Sequence, residues 1–216
     1  MKIVFKRIAL LVIFSMFALG ASAQIDRERD SEYFPRNEIY IQYGAPSVTE
    51  LVTVLQVDYK STTYGGESRN HKFSGVGSLG YNFSINKKFA VGIYAGVSYS
   101  SADLYITYID GVNLKDPFMV CRSEIINYSG LLSASMIYWQ KGAWECSGEL
   151  YLGAAYLHEN IDPRNEEYMI PEPNSRFKLA YHLTPVKIRY GDEIGFFAEL
   201  GFGCRGLVNV GLSVKI

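Results

Sequence analysis

Three groups of side chains in this chain could do chemistry. His182 and Thr184 sit two apart. On an extended strand that spacing puts an imidazole beside a hydroxyl on one wall, and an imidazole can activate a hydroxyl for nucleophilic attack if a carboxylate orients it. Glu149 and Glu199 could act as paired carboxylates. The acidic stretch from Asp162 to Glu172 could hold a hard cation. Each has a plainer reading. The acid nearest His182, Glu199, falls on the opposite strand parity, and His182 reads as a rim residue. Lys187, Arg189 and Arg205 share the polar parity with Glu145, Glu149 and Glu199, which favours ion pairs over acid–base work. Asp162 to Glu172 lacks the alternating ligand spacing of a calcium loop. No phosphate loop, HExxH or GxSxG is present. Cys121, Cys146 and Cys204 match no metal or redox spacing. The reading is therefore no catalytic, cofactor or metal residue. Cys146 and Cys204 read as small hydrophobes on the apolar parity.

The elements that would position these residues are strands. The final ten residues alternate without a break. Val208, Val210, Leu212, Val214 and Ile216 take one face; Asn209, Gly211, Ser213 and Lys215 take the other. Seven earlier stretches read alike, at about 38–44, 73–85, 89–104, 124–139, 144–157, 177–190 and 194–202. Short turns join the second and third, the fourth and fifth, and the sixth and seventh. Long connections are expected at 45–70, around 110–117, and at 158–175. In the first, Ser47 and Glu50 form a capping-box pattern before Val48, Leu51, Val52 and Leu55 at helical spacing, so a short helix is expected there. Pro185 cannot donate to a ladder and implies a bulge in the sixth strand.

The other end of the chain sets the compartment. Met1 to Arg7 is basic, 8–19 is apolar, and Ala21-Ser22-Ala23 is a cleavage pattern. That is a secretory signal, with cleavage expected after Ala23. Residues 24–36 are highly charged and read as a periplasmic lead-in, leaving 37–216 as one domain. Of 21 basic and 22 acidic residues, the signal removes Lys2, Lys6 and Arg7. The mature net charge is then −4, which leaves no basic footprint for nucleic acid.

The apolar parity carries the aromatics. Phe73 and Phe83, Phe89 and Tyr99, and Tyr128 and Tyr138 are each ten apart; Trp144 and Tyr156 are twelve apart. Ten residues at about 3.3 Å rise, tilted by about 40°, climb about 25 Å, the height of the apolar band between the aromatic girdles of a membrane barrel. The other parity is Gly, Ser, Asn and charge. A soluble lipocalin-like barrel would have these faces reversed. The expected fold is all-β, an eight-stranded antiparallel up-and-down transmembrane barrel. An ion-pair network of Glu145, Glu149, Glu199, Lys187, Arg189 and Arg205 is expected in its lumen.

Glu38-Ile-x-Ile-x-Tyr-Gly-x-Pro-Ser47, Leu183-Thr-Pro-Val-Lys-Ile-Arg-Tyr-Gly191, Glu199-Leu-Gly-Phe-Gly203 and Gly211-Leu-Ser-Val-Lys-Ile216 resemble the small outer-membrane β-barrel proteins of Bacteroidetes. The plan is similar to the OmpX/OmpA eight-stranded class, with Ile216 in place of the usual terminal aromatic. That resemblance implies the bacterial outer membrane, with lipid and the barrel-assembly machinery as partners. Most members of that family have no defined activity; the role expected here is non-catalytic, envelope structure or adhesion, with the outer loops as the surface for any extracellular partner. His182-Leu183-Thr184 is similar to the His-x-Ser of outer-membrane lipid A deacylases, which makes a lipid-modifying enzyme the first alternative. A soluble periplasmic binding barrel is the second.

Overall fold

The computed structural model describes residues 37–63, 66–109, 112–164 and 172–216. The expected signal segment and charged lead-in lie outside the described residues. Eight strands form one closed antiparallel barrel in chain order. They are β1 (Asn37–Ala45), β2 (Gly66–Ser84), β3 (Phe89–Ile109), β4 (Val112–Lys141), β5 (Trp144–Pro163), β6 (Arg176–Tyr190), β7 (Ile194–Gly203) and β8 (Val208–Lys215). One helix, α1 (Val48–Thr63), follows β1.

Closure fixes the tilt. From Ile41, ladder partners lead through Leu79, Ala95, Gly130 and Ala154 to Leu179 on β6. In the other direction they lead through Leu212 and Phe196 to Tyr190, eleven residues further along the same strand. One of those residues is a bulge: β6 advances three while each neighbour advances two, around Pro185. The remaining offset, about 33 Å along the strands against a circumference of about 38 Å, gives a tilt of about 40°. Pro185 sits where the ladder already skips, so its missing N–H removes no bond there.

The turns follow local chemistry. Asn86 Oδ1 accepts from the N–H groups of Lys88 at 2.8 Å and Phe89 at 2.9 Å, closing the β2–β3 turn. Gly142 takes a left-handed φ of 58° between β4 and β5.

The opposite end departs from expectation. The connection around 110–117 is mainly strand: β3 runs to Ile109 and β4 begins at Val112. Pro117 is tolerated because the β3–β4 register shifts between Ile106 and Tyr108, opposite it. β2 and β5 also outrun their expected ends. β2 to β5 have 19, 21, 30 and 20 residues, whereas β1, β7 and β8 have 9, 10 and 8. One side of the wall therefore rises as a tongue beyond the other.

Helix α1 is longer than the expected short helix. Its start is the expected capping box. Ser47 N–H donates to Glu50 Oε2 at 2.8 Å, and Glu50 N–H donates to Ser47 Oγ at 3.1 Å. Val54 lines a small cavity with His71, Phe73, Ser100, Ala102, Ser123 and Ile125. Ser100, Ala102, Ser123 and Ile125 lie on the inward parity of β3 and β4, so α1 packs against the concave side of the tongue. Arg122 braces the tongue through Asp103 at 2.7 Å, and Asn70 donates to the same carboxylate at 3.0 Å.

Candidate functional site

Charge concentrates in the interior. Gly203 and Gly206, at φ 143° and 137°, let the chain turn between β7 and β8 so that Arg205 drops into the barrel. Arg205 is fully buried. Its Nη2 lies 2.9 Å from Glu199 Oε1 and its Nη1 3.4 Å from Glu149 Oε2. Nη2 also donates to Gln42. The guanidinium lies 3.9 Å from the Tyr151 ring centroid and 5.0 Å from that of Tyr94. Lys187 Nζ donates to Glu149 Oε1 at 2.8 Å and stands 4.5 Å from the Phe197 ring. Tyr151 donates its hydroxyl to Glu149 and sits 3.2 Å from the Tyr40 hydroxyl.

A second layer lies nearer the start of β1 and the end of β8. Arg189 stands 3.6 Å from Glu38. It donates to Ser213 Oγ at 2.7 Å and to the carbonyls of Gly191, Asp192 and Glu193. Lys215 Nζ meets Glu145 Oε2 at 2.5 Å. The two layers set Glu38, Glu145, Glu149 and Glu199 against Lys187, Arg189, Arg205 and Lys215. Buried charges need such partners, because the desolvation each one suffers is offset only by close opposite charge and hydrogen bonds. All six residues expected in the network are inside. The partners of Glu145 and Arg189 are Lys215 and Glu38, which had not been assigned to it. Both stand on the polar parity of the first and last strands, a signal that was readable. Their pairing was not, because it depends on closure.

The interior also holds His182 and Thr184. The expectation of a rim position for His182 is overturned: both side chains are fully buried. The cause is the Pro185 bulge, which resets parity, so even positions before it and odd positions after it point inward. Glu199 therefore shares the interior with His182 rather than facing away. The Arg205 N–H lies 3.4 Å from His182 Nδ1, and the imidazole packs edge-on against Tyr151 at 6.1 Å. His182 Nε2 and Thr184 Oγ1 have no hydrogen-bond partner among the described residues. Thr184 is thus not bonded to the imidazole, and the Glu199 carboxylate is held by Arg205.

Cys204 is another departure. It lies just past β7 and turns into the buried cluster with Tyr40 and Tyr151. Cys146 pairs with Ile188 on the outward parity. Of the acidic stretch, 165–171 lies outside the described residues, and Asp162 pairs with Arg164 at 3.0 Å. No cluster of three metal-ligating side chains occurs among the described residues.

The outward face is apolar. Phe83, Phe89, Tyr99, Tyr128 and Trp144 are exposed on it. Tyr156 packs against Phe177 with ring centroids 4.8 Å apart, in a ladder row with Tyr128. Two expected girdle positions are corrected. Phe73 pairs with Ser100, on the inward parity, because the register shifts between Phe73 and Val76, where Gly75 takes φ 69°. Tyr138 is skipped by the ladder between Ile137 and Trp139, and Trp139 stands exposed opposite Cys146 in its place. No protein-family model matches the chain, and no curated protein matches it.

Proposed function

We propose that the chain is an integral β-barrel of the bacterial outer membrane, whose ion-paired interior is a rigid plug rather than a pore. The observation that carries this reading is the inverted distribution of side chains. Leu132, Ile194 and Phe196 are 69%, 68% and 68% exposed on the outer wall, while Arg205, Lys187 and Glu149 are at most 2% exposed inside. A water-soluble barrel would lose apolar burial on one face and bear desolvated charge on the other. In lipid the apolar wall no longer faces water, the interior charges are offset by their own ion pairs, and a closed barrel leaves no unpaired edge. Eight strands enclose only enough space for side chains, and here those side chains are salt-linked.

The wall then serves as an anchor for the tongue of β2–β5 and for α1, which stand on the side opposite the start of β1 and the end of β8. The role is non-catalytic: envelope structure, or contact with an extracellular partner through that tongue. Its biogenesis partners are lipid and the barrel-assembly machinery. The resemblance to the small Bacteroidetes barrels of the OmpX/OmpA type is consistent with this. The lipid-modifying alternative is disfavoured by the sealed position of His182 and Thr184. Lipid A altered by the wild-type chain but not by His182→Ala would reinstate it.

The test is heat-modifiability. Mature protein recovered from outer membranes should migrate differently on SDS gels before and after boiling. Recovery in the soluble periplasm with no shift, especially with a bound apolar ligand, would overturn the proposal in favour of a soluble binding barrel.

A further inference from the structure

The outer wall is not evenly bulky. Ala198 stands in the middle of β7, opposite Ile188 on β6 and Val210 on β8. One row nearer the end of β8, Trp144, Tyr190, Phe196 and Leu212 stand in line across β5–β8. Between the two rows opens a groove of about 580 Å³, floored by Ala198 and Gly211. That lies within the range of small-molecule sites, about 300–1,000 Å³. The rings of Trp144 and Tyr190, with centroids 4.8 Å apart, make its lower lip.

Directly below this lip two turns are fastened together, since Gly191 N–H donates to the Ala143 carbonyl at 2.9 Å. The β4–β5 turn carries Lys141; the β6–β7 turn carries Asp192 and Glu193. All three are exposed. Among the described residues none has an ion-pair partner.

We propose that this groove is a binding site for one phospholipid. An acyl chain lies over Ala198, the phosphate meets Lys141, and a primary ammonium headgroup meets Asp192 and Glu193. The groove is continuous with the apolar wall, so its natural occupant is a lipid chain rather than a water-borne ligand. Charges of both signs on two adjoining turns match a zwitterion. A primary ammonium donates hydrogen bonds to carboxylates, which a quaternary one does not. A purely anionic head would face two like charges. The lip is made of Trp and Tyr, the residue types that favour the membrane interface. This inference rests on the membrane reading above.

The test uses the full mature chain, refolded in detergent micelles and titrated with phosphatidylethanolamine, phosphatidylcholine or phosphatidylglycerol under native mass spectrometry. Two variants on the outer surface accompany it: Ala198→Phe, which fills the groove, and the double variant Asp192→Asn/Glu193→Gln. The wild type should retain one phosphatidylethanolamine about tenfold more tightly than phosphatidylcholine. Ala198→Phe should weaken every lipid about tenfold, and the double variant should erase the headgroup preference alone. Equal retention by wild type and Ala198→Phe would overturn the site. So would a protein dimer abolished by Ala198→Phe, which would make the groove a contact between copies. The boiling shift is run on each sample. Its absence in wild type would sink the membrane reading itself; its presence with unaltered lipid retention would sink only the lipid site.

Discussion

Replacing Arg205 by Met tests the interior plug most directly. The guanidinium contacts both Glu199 and Glu149, but Glu149 keeps Lys187 at 2.8 Å. The loss therefore falls mainly on Glu199, leaving a buried carboxylate without its cation. Breaking a buried pair from one side costs about 3–5 kcal/mol. The contact with the Tyr151 ring at 3.9 Å adds about 1–2 kcal/mol. A total of about 4–7 kcal/mol is expected. Adding Glu199→Gln removes the orphaned charge and restores the balance of acids and bases, so the double variant should regain at least about 2 kcal/mol over Arg205→Met. The assay is urea unfolding in lipid vesicles, followed by the boiling-sensitive gel band and by the fluorescence of Trp139 and Trp144, both exposed on the outer wall. Arg205→Met within about 0.5 kcal/mol of wild type, or strictly additive effects, would mean that the lumen is hydrated and its charges screened. The plug would then be refuted.

Two further outcomes follow from other parts of the fold. Ile93, between Phe89 and Tyr99 and 58% exposed on the outer wall, should destabilise the bilayer-inserted barrel by about 2–4 kcal/mol when changed to Arg; no loss in vesicle unfolding would argue against lipid around that position. Ser47→Ala removes half of the capping box at the start of α1, which should cost about 1 kcal/mol. Faster amide exchange confined to α1 and the adjoining β2–β3 tongue would register it, and uniform exchange across the barrel would not fit.

Alternation alone made the barrel legible. Val208 to Ile216 and Phe89 to Tyr99 display both faces openly, because a strand has period two and each face meets one environment. The capping box at Ser47 and Glu50 and the irregularity at Pro185 were likewise local, and so readable. The parity errors lie where one inserted residue shifts the face of everything beyond it. Phe73, Tyr138 and His182 all stand next to such shifts. A bulge costs little locally, and its position is chosen by how the neighbouring strands pair, so a single strand read by itself does not reveal which residue is skipped.

The chain itself determined eight alternating segments, the polarity of their two faces, the sites of the tight turns, and which charged residues would share a polar wall. Only the tertiary structure decided which charge meets which, that β3 and β4 continue into a tongue, that α1 packs on its concave side, and that Arg205 enters from a turn to join Glu149 and Glu199. Face polarity is a property of sequence spacing. Partnership inside a closed barrel depends on the register of all eight strands at once, and that register is set by closure.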